Sequence, residues 1–171
     1  MSALDYARTF AQAGFHLFPC GRDKKPLITG WPAAATTDPA QLDAWATQFP
    51  ACRWGCACGP SGLFVLDCDR AKKPGEPSGE DSLALLLADN SPLPKTYTVR
   101  TKSGGLHRYF RGQGSSTAGK LGRALDTRSA GGYVIIPDGV DYTVIDSAPI
   151  AEAPAWLIAR ASAARWFRLP G

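Results

Sequence analysis

Gly62-Leu63-Phe64-Val65-Leu66-Asp67-Cys68-Asp69 is the stretch on which the fold turns: four consecutive apolar residues close on two aspartates. An unbroken apolar run of this length, entered through glycine and left through charge, predicts a central strand covered on both faces. The two-residue period of a strand then points Asp67 and Asp69 to one face and Cys68 to the other. Their Cβ atoms are expected roughly 6 to 7 Å apart, at about 3.3 Å of rise per residue. Carboxylates converging from that separation can share hard cations such as Mg²⁺ or Mn²⁺. By itself the pair fits equally a strand running out into solvent, with the two aspartates and Arg70 beginning a loop. Asp126 adds a third carboxylate. It follows Ala124-Leu125 on another short strand, with Arg128 on the same face, and completes a two-metal site if that strand lies beside the first.

Working outward, Ser2 and Asp5 form a capping box, and Leu4, Ala7, Phe10 and Ala11 repeat at helical spacing, predicting a helix over 3–13. Phe15 to Phe18 reads as a strand and Gly21 to Gly30 as a loop. Asp38 before Pro39 starts a second helix over 39–49, and Arg53 to Cys58 alternates as a strand. Asp81 to Ala88 carries Leu83, Leu86 and Leu87 on one helical face. Thr96 to Lys102 and Leu106 to Arg111 predict a hairpin around Ser103-Gly104-Gly105, whose glycines supply positive φ. A second hairpin is expected between Ala124 to Arg128 and Tyr133 to Pro137 across Gly131-Gly132. Pro154 opens a last helix carrying Trp156, Leu157, Arg160, Arg165 and Arg168. The expected fold class is α+β, a largely antiparallel sheet with helices on one side, as a single domain over 1–171.

The 171 residues are 44% hydrophobic, enough for one buried core. No apolar run approaches the roughly 18 residues of a membrane span, and the N-terminus lacks the basic start and apolar stretch of a leader, so a cytoplasmic protein without membrane contact is expected. Five cysteines at irregular spacing read as reduced thiols rather than a disulfide framework. The net charge of +4 is unevenly placed. Residues 95–128 hold eight Lys/Arg against Asp126 alone, which is +7, leaving 4 − 7 = −3 for the remainder. Such a concentrated positive field suits a phosphate-rich partner, although a solvated basic face has the same composition.

His107 lies two residues past Gly105, within reach of a ligand approaching the hairpin end. Ser103, Arg100, Lys102 and Arg108 surround it in sequence with donors suited to a triphosphate and with no carboxylate, which predicts a phosphate contact rather than a metal ligand. Gly114-x4-Gly119-Lys120 imitates a phosphate-binding loop, but Leu121 stands where a Ser/Thr hydroxyl is needed, so an ATPase is set aside. Cys52, Cys56 and Cys58 lack paired C-x2-C units and a clear fourth ligand, so no zinc is expected.

Three stretches in order carry a family resemblance: Val65-Leu66-Asp67-Cys68-Asp69, then Thr101-Lys102-Ser103-Gly104-Gly105-Leu106-His107-Arg108-Tyr109-Phe110, then Leu125-Asp126-Thr127-Arg128 running into Gly131-Gly132-Tyr133-Val134-Ile135-Ile136-Pro137. With Gly14-Phe15, Phe18-Pro19, Lys25-Pro26, Gly30-Trp31, Gly59-Pro60-Ser61-Gly62 and Pro154-Ala155-Trp156-Leu157, the chain resembles the N-terminal domain of bifunctional DNA primase/polymerases, the prim-pol domain of the archaeo-eukaryotic primase superfamily. The resemblance implies an RRM-like catalytic core flanked by helices and template-directed transfer of nucleotides from (d)NTPs by two divalent ions, Mg²⁺ or Mn²⁺. It implies a catalytic set of Asp67, Asp69, His107 and Asp126, with the three aspartates holding the metals and His107 and Ser103 touching the nucleotide's phosphates. Lys102, Arg108 and Arg128 are expected to join the nucleotide contacts, and Arg100, Arg111, Lys120 and Arg123 to contact DNA. The implied partners are a single-stranded DNA template with its primer, nucleoside triphosphates, and a helicase, fused or separate. The domain would stand alone or as the N-terminal part of a longer replication protein. One departure is visible: Asp138-Gly139-Val140-Asp141 stand where relatives continue with a second proline and a serine, which leaves the sugar-side contacts open. A metal-dependent nuclease and a non-catalytic single-stranded nucleic-acid-binding module are the alternatives, the first marked by shortening DNA without triphosphates, the second by indifference to loss of the aspartates.

Overall fold

The computed structural model describes residues 1–166 of the chain. Each early helix starts where its cap predicts. Ser2 accepts from the Asp5 amide and Asp5 accepts from the Ser2 amide, opening α1 at Ala3–Gln12, and Asp38 caps α3 at Pro39–Gln48. Between them come β1 at Leu17–Cys20, two residues later than the sequence suggests, and a short helix α2 at Trp31–Ala34. β2 at Arg53–Ala57 and a one-turn α4 at Cys58–Ser61 lead through Gly62 into β3 at Leu63–Cys68. α5 spans Gly79–Ala88, beginning at a Ser78/Asp81 capping box. It is followed by β4 at Thr98–Arg100, β5 at Leu106–Arg111, β6 at Leu125–Arg128 and β7 at Tyr133–Ile135. β8 at Thr143–Asp146, β9 at Ala151–Glu152 and α6 at Ala155–Trp166 complete the described residues. The Arg168 expected on the last helix lies outside the described residues.

The fold class is α+β, with the strands in two sheets rather than one. The larger has the order β6-β3-β5-β4-β8, with β9 parallel against β5, and the smaller has the order β1-β2-β7. β3 is central and covered on both faces, as its apolar run requires. Phe64, Leu66 and Cys68 meet α5 and α6 through Leu83, Leu86, Leu157 and Ala161. Leu63 and Val65 face the smaller sheet and α1, packing in one core with Phe10, Cys56 and Val134. Helical cover therefore lies on both faces of the larger sheet, not one.

The expected second hairpin does not form. β6 pairs antiparallel with β3, and β7 pairs antiparallel with β2 in the other sheet. Residues 129–132 cross between sheets: the Ser129 hydroxyl donates to the Leu63 carbonyl at 2.9 Å, and the Ala130 amide donates to Gly114 at 3.1 Å. Among the described residues no helix is long and apolar enough to cross a membrane.

Candidate metal centre and nucleotide cleft

Strand register builds the site. Asp67 on β3 stands opposite His107 of β5 on one side and opposite Asp126 of β6 on the other. Asp69 lies just past the strand end on the same face, its amide donating to the Ala124 carbonyl at 2.8 Å and its own carbonyl accepting from Gly79 at 2.8 Å. The ligand oxygens of Asp67, Asp69 and Asp126 lie within 4.8 Å of one another, the one group of His, Cys, Asp or Glu among the described residues close enough to hold a metal ion. The condition placed on Asp126, that its strand lie beside β3, is met.

Two glycines hold Asp69 in place. A Cβ on Gly105 would meet the Cys68 carbonyl at 2.6 Å and the Asp69 Cα at 3.2 Å, and one on Gly79 would meet the Asp69 amide at 2.8 Å. Gly104 is the residue of this turn that needs positive φ, at 91°; Gly105 is needed for close approach.

Charge around the carboxylates is uneven. Burial pushes the Asp67 carboxyl up, but the His107 contact and the Arg128 and Lys24 charges outweigh it and hold the group below the usual range. Asp69 moves the other way, raised by burial and then by the Asp67 and Asp126 charges beside it. Asp67 Oδ1 is buried, with His107 Nε2 3.3 Å away but not in good hydrogen-bond geometry. Hard oxygen donors, a buried carboxylate oxygen without a well-formed hydrogen bond and mutual repulsion are conditions that a divalent cation relieves, so the three residues fit Mg²⁺ or Mn²⁺.

The carboxylates open into a cleft of about 440 Å³, walled by Ser103 of the β4–β5 turn, by His107 and Arg128 of the larger sheet, and by Lys24, Trp31 and Tyr133 from the smaller sheet and its loops. Arg128 donates to Asp126 at 3.1 Å, on the same face as expected. His107 is not remote from carboxylates, as its sequence neighbours suggested. Its Nε2 lies 3.3 Å from Asp67 Oδ1, because cross-strand register, invisible locally, brings the two together.

The remaining expected site residues divide. Arg108 points to the opposite face, where both guanidinium nitrogens meet Glu80 at 2.7 and 2.9 Å, so it is not brought to the cleft. Lys102 is exposed beside Asp141 at 3.9 Å, and it does not line the cleft. Arg100 and Arg111 are exposed at strand ends, away from the cleft lining. Arg123 pairs with Glu76 at 2.8 Å and, with Lys72, lines a second cleft of about 360 Å³. Gly119 borders that cleft and donates its amide to Asp126 at 2.8 Å, so the groove adjoins the carboxylates, with exposed Lys120 next along the chain.

Sequence reading missed Lys24, Trp31, Tyr133 and Tyr142 in the first cleft. Lys24 has φ of 70°, rare for a residue with a side chain, and its carbonyl accepts from the Tyr133 hydroxyl at 2.8 Å. Trp31 stacks on Phe18 at 4.8 Å between ring centroids. The five cysteines are buried and free, and burial pushes the Cys56 and Cys68 thiols up to about 12.

The family described as bifunctional DNA primase/polymerase, N-terminal, matches the chain over residues 7–156. No curated protein sequence matches it.

Proposed function

The chain belongs to the bifunctional DNA primase/polymerase N-terminal family, and from that premise we propose that it extends a DNA primer along a single-stranded template by nucleotidyl transfer, as one catalytic domain spanning the chain. The observation that carries this reading is the register that sets Asp67 between His107 and Asp126, with Asp69 completing a carboxylate group beside a basic cleft. Asp67, Asp69 and Asp126 would hold Mg²⁺ or Mn²⁺. When bound, such ions lower the pKa of the attacking 3′-hydroxyl and neutralise charge on the triphosphate.

The chain's own residues supply the rest. Ser103, His107, Arg128 and Lys24 present donors along the cleft, suited to orienting three anionic phosphates. Arg128 also holds Asp126 through its guanidinium, so one side chain orders a carboxylate while offering charge to the nucleotide. Beside the carboxylates, Lys72 and Arg123 border a groove suited to the DNA backbone, with exposed Lys120 following Gly119 at its edge. A helicase, fused or separate, would supply the single-stranded template. Little covalent work falls to the protein, because positioning and charge dominate phosphoryl transfer.

Extension of a labelled primed template, with and without each triphosphate, tests the reading. Wild-type protein is expected to lengthen the primer only when triphosphate and Mg²⁺ or Mn²⁺ are present. Asp67→Ala and Asp69→Ala are expected to lose about a thousandfold in rate, or ~4 kcal/mol of barrier, with the fold intact. Shortening of the DNA without triphosphate would instead identify a nuclease, and near-normal extension by either folded variant would remove the metal role.

A further inference from the structure

Resting on that reading, we propose that Tyr142 contacts the incoming nucleotide, and that the buried Arg53–Asp141 ion pair is the device that positions it. Arg53 is 2% exposed, the largest fully buried side chain among the described residues. A guanidinium cannot shed its charge to escape burial, so its surroundings must compensate it. Arg53 Nη2 pairs with the Asp141 carboxylate and Nη1 donates to the Arg22 carbonyl at 3.0 Å, while Nε has no partner. Buried ion pairs are commonly no better for stability than apolar replacements. The role of this pair is positional.

It fixes Tyr142. The Arg53 guanidinium carbon lies 5.4 Å from the centroid of the Tyr142 ring, a cation–π contact. Asp141 is the next residue in the chain, so the ion pair grips the ring through space and through the backbone. The backbone is held as well: Asp138 Oδ1 accepts from the amides of Val140, Asp141 and Tyr142 at 2.8, 2.8 and 3.0 Å. The held ring lines the cleft, 6.5 Å from the His107 ring between centroids. Its hydroxyl makes no hydrogen bond to protein among the described residues, leaving its donor for a ligand. Burial raises its pKa, so the hydroxyl stays neutral and able to donate at neutral pH.

Asp141 also gathers the cleft's margins. Arg22 lies 3.4 Å and Lys102 3.9 Å from its Oδ2, so one carboxylate faces three cations from β2, the loop after β1 and the β4–β5 turn. The surplus of positive charge favours an anionic ligand nearby.

The test is equilibrium binding of a fluorescent deoxynucleoside triphosphate with Mg²⁺, run beside Mn²⁺ titration without nucleotide and beside primer extension. Tyr142→Phe, which removes only the hydroxyl, is expected to weaken nucleotide binding about fivefold, the size of one neutral hydrogen bond, with Mn²⁺ affinity unchanged. Asp141→Asn is expected to weaken it at least as much, and the double variant to be no worse than Asp141→Asn alone, since both act through one ring. Asp141→Glu, which keeps the charge, is expected to recover part of the loss and serves if Asp141→Asn does not fold. Wild-type nucleotide affinity in Tyr142→Phe would overturn the contact. A melting-temperature loss in the Asp141 variants without a change in nucleotide affinity, or fully additive effects, would overturn the positioning role. If wild-type protein binds triphosphate tightly but never extends a primer, the polymerase reading fails while the Tyr142 assignment is still decided by binding. If it binds no triphosphate, both fall.

Discussion

Asp69 and Gly105 show how much of the site rests on single residues. Asp69 shares its face with two other carboxylates, and its pKa is raised by burial and by the Asp67 and Asp126 charges. A raised folded-state pKa contributes stability below the unfolded value of about 3.9 that is lost as pH rises through the folded one, so ionised Asp69 weighs against the fold at neutral pH. Asp67, with its pKa lowered, has the opposite sign: its contribution is present at neutral pH and lost as pH falls through its folded value. Asp69→Asn is therefore expected to raise the melting temperature of metal-free protein at pH 7 while abolishing Mn²⁺ binding in calorimetry. A variant that lost both metal binding and thermal stability would contradict the repulsion. Gly105→Ala acts by shape rather than charge. Its Cβ would press on the Cys68 carbonyl and the Asp69 Cα, so a cost of about 1–3 kcal/mol in unfolding free energy is expected, together with weaker Mn²⁺ binding. Denaturant titration and calorimetry on the same variant check both effects.

At the scale of elements, the strands that sequence reading placed well are those whose signal is local. The apolar run of β3 and the glycine turn between β4 and β5 marked themselves, and so did the caps of α1 and α3. The pairing of β6 and β7 did not, because two short strands joined through Gly131-Gly132 look alike whether they fold onto each other or onto different sheets. What separates them is the tertiary crossing at Ser129 and Ala130, and sequence spacing carries no trace of it. The start of α5 was legible and overlooked: Ser78 and Asp81 form the same capping box as Ser2 and Asp5. The carboxylate triad could be foreseen by alternation along β3 and β6, and alternation along β5 likewise puts Arg108 on the face opposite His107; that His107 is the one beside Asp67 follows only from the register across β3 and β5. Arg108 supplies the corresponding prediction. Its partner Glu80 sits on α5, so the pair ties that helix to β5 in a partly solvated setting. Arg108→Ala is expected to cost up to about 1 kcal/mol of stability by denaturant titration and to leave the nucleotide KM unchanged. A raised KM would return Arg108 to the nucleotide site.

The whole molecule places its chemistry where two sheets meet. β3, β5 and β6 bring the carboxylates and Arg128, while the smaller sheet and its loops bring Lys24, Trp31 and Tyr133 across the cleft. The second groove shares no lining residue with the first; it is bordered by Lys72 and Arg123 and reaches the carboxylates through Gly119, whose amide donates to Asp126. In that groove Glu76 pairs with Arg123 at 2.8 Å, which puts a carboxylate on the path proposed above for the DNA backbone. Glu76→Gln is expected to tighten binding to single-stranded DNA, because it frees Arg123 and removes a like charge from the path of the phosphates. Arg123→Ala and Lys72→Ala are expected to weaken it, each lowering the log–log salt slope by about 0.7, the counterion release of one single-strand phosphate contact. Fluorescence anisotropy with a labelled oligonucleotide at several salt concentrations measures affinity and slope together. A wild-type response that is flat with salt would show that the groove does not carry the backbone. Weaker binding in Glu76→Gln would show that the Glu76–Arg123 pair shapes the groove rather than obstructing it.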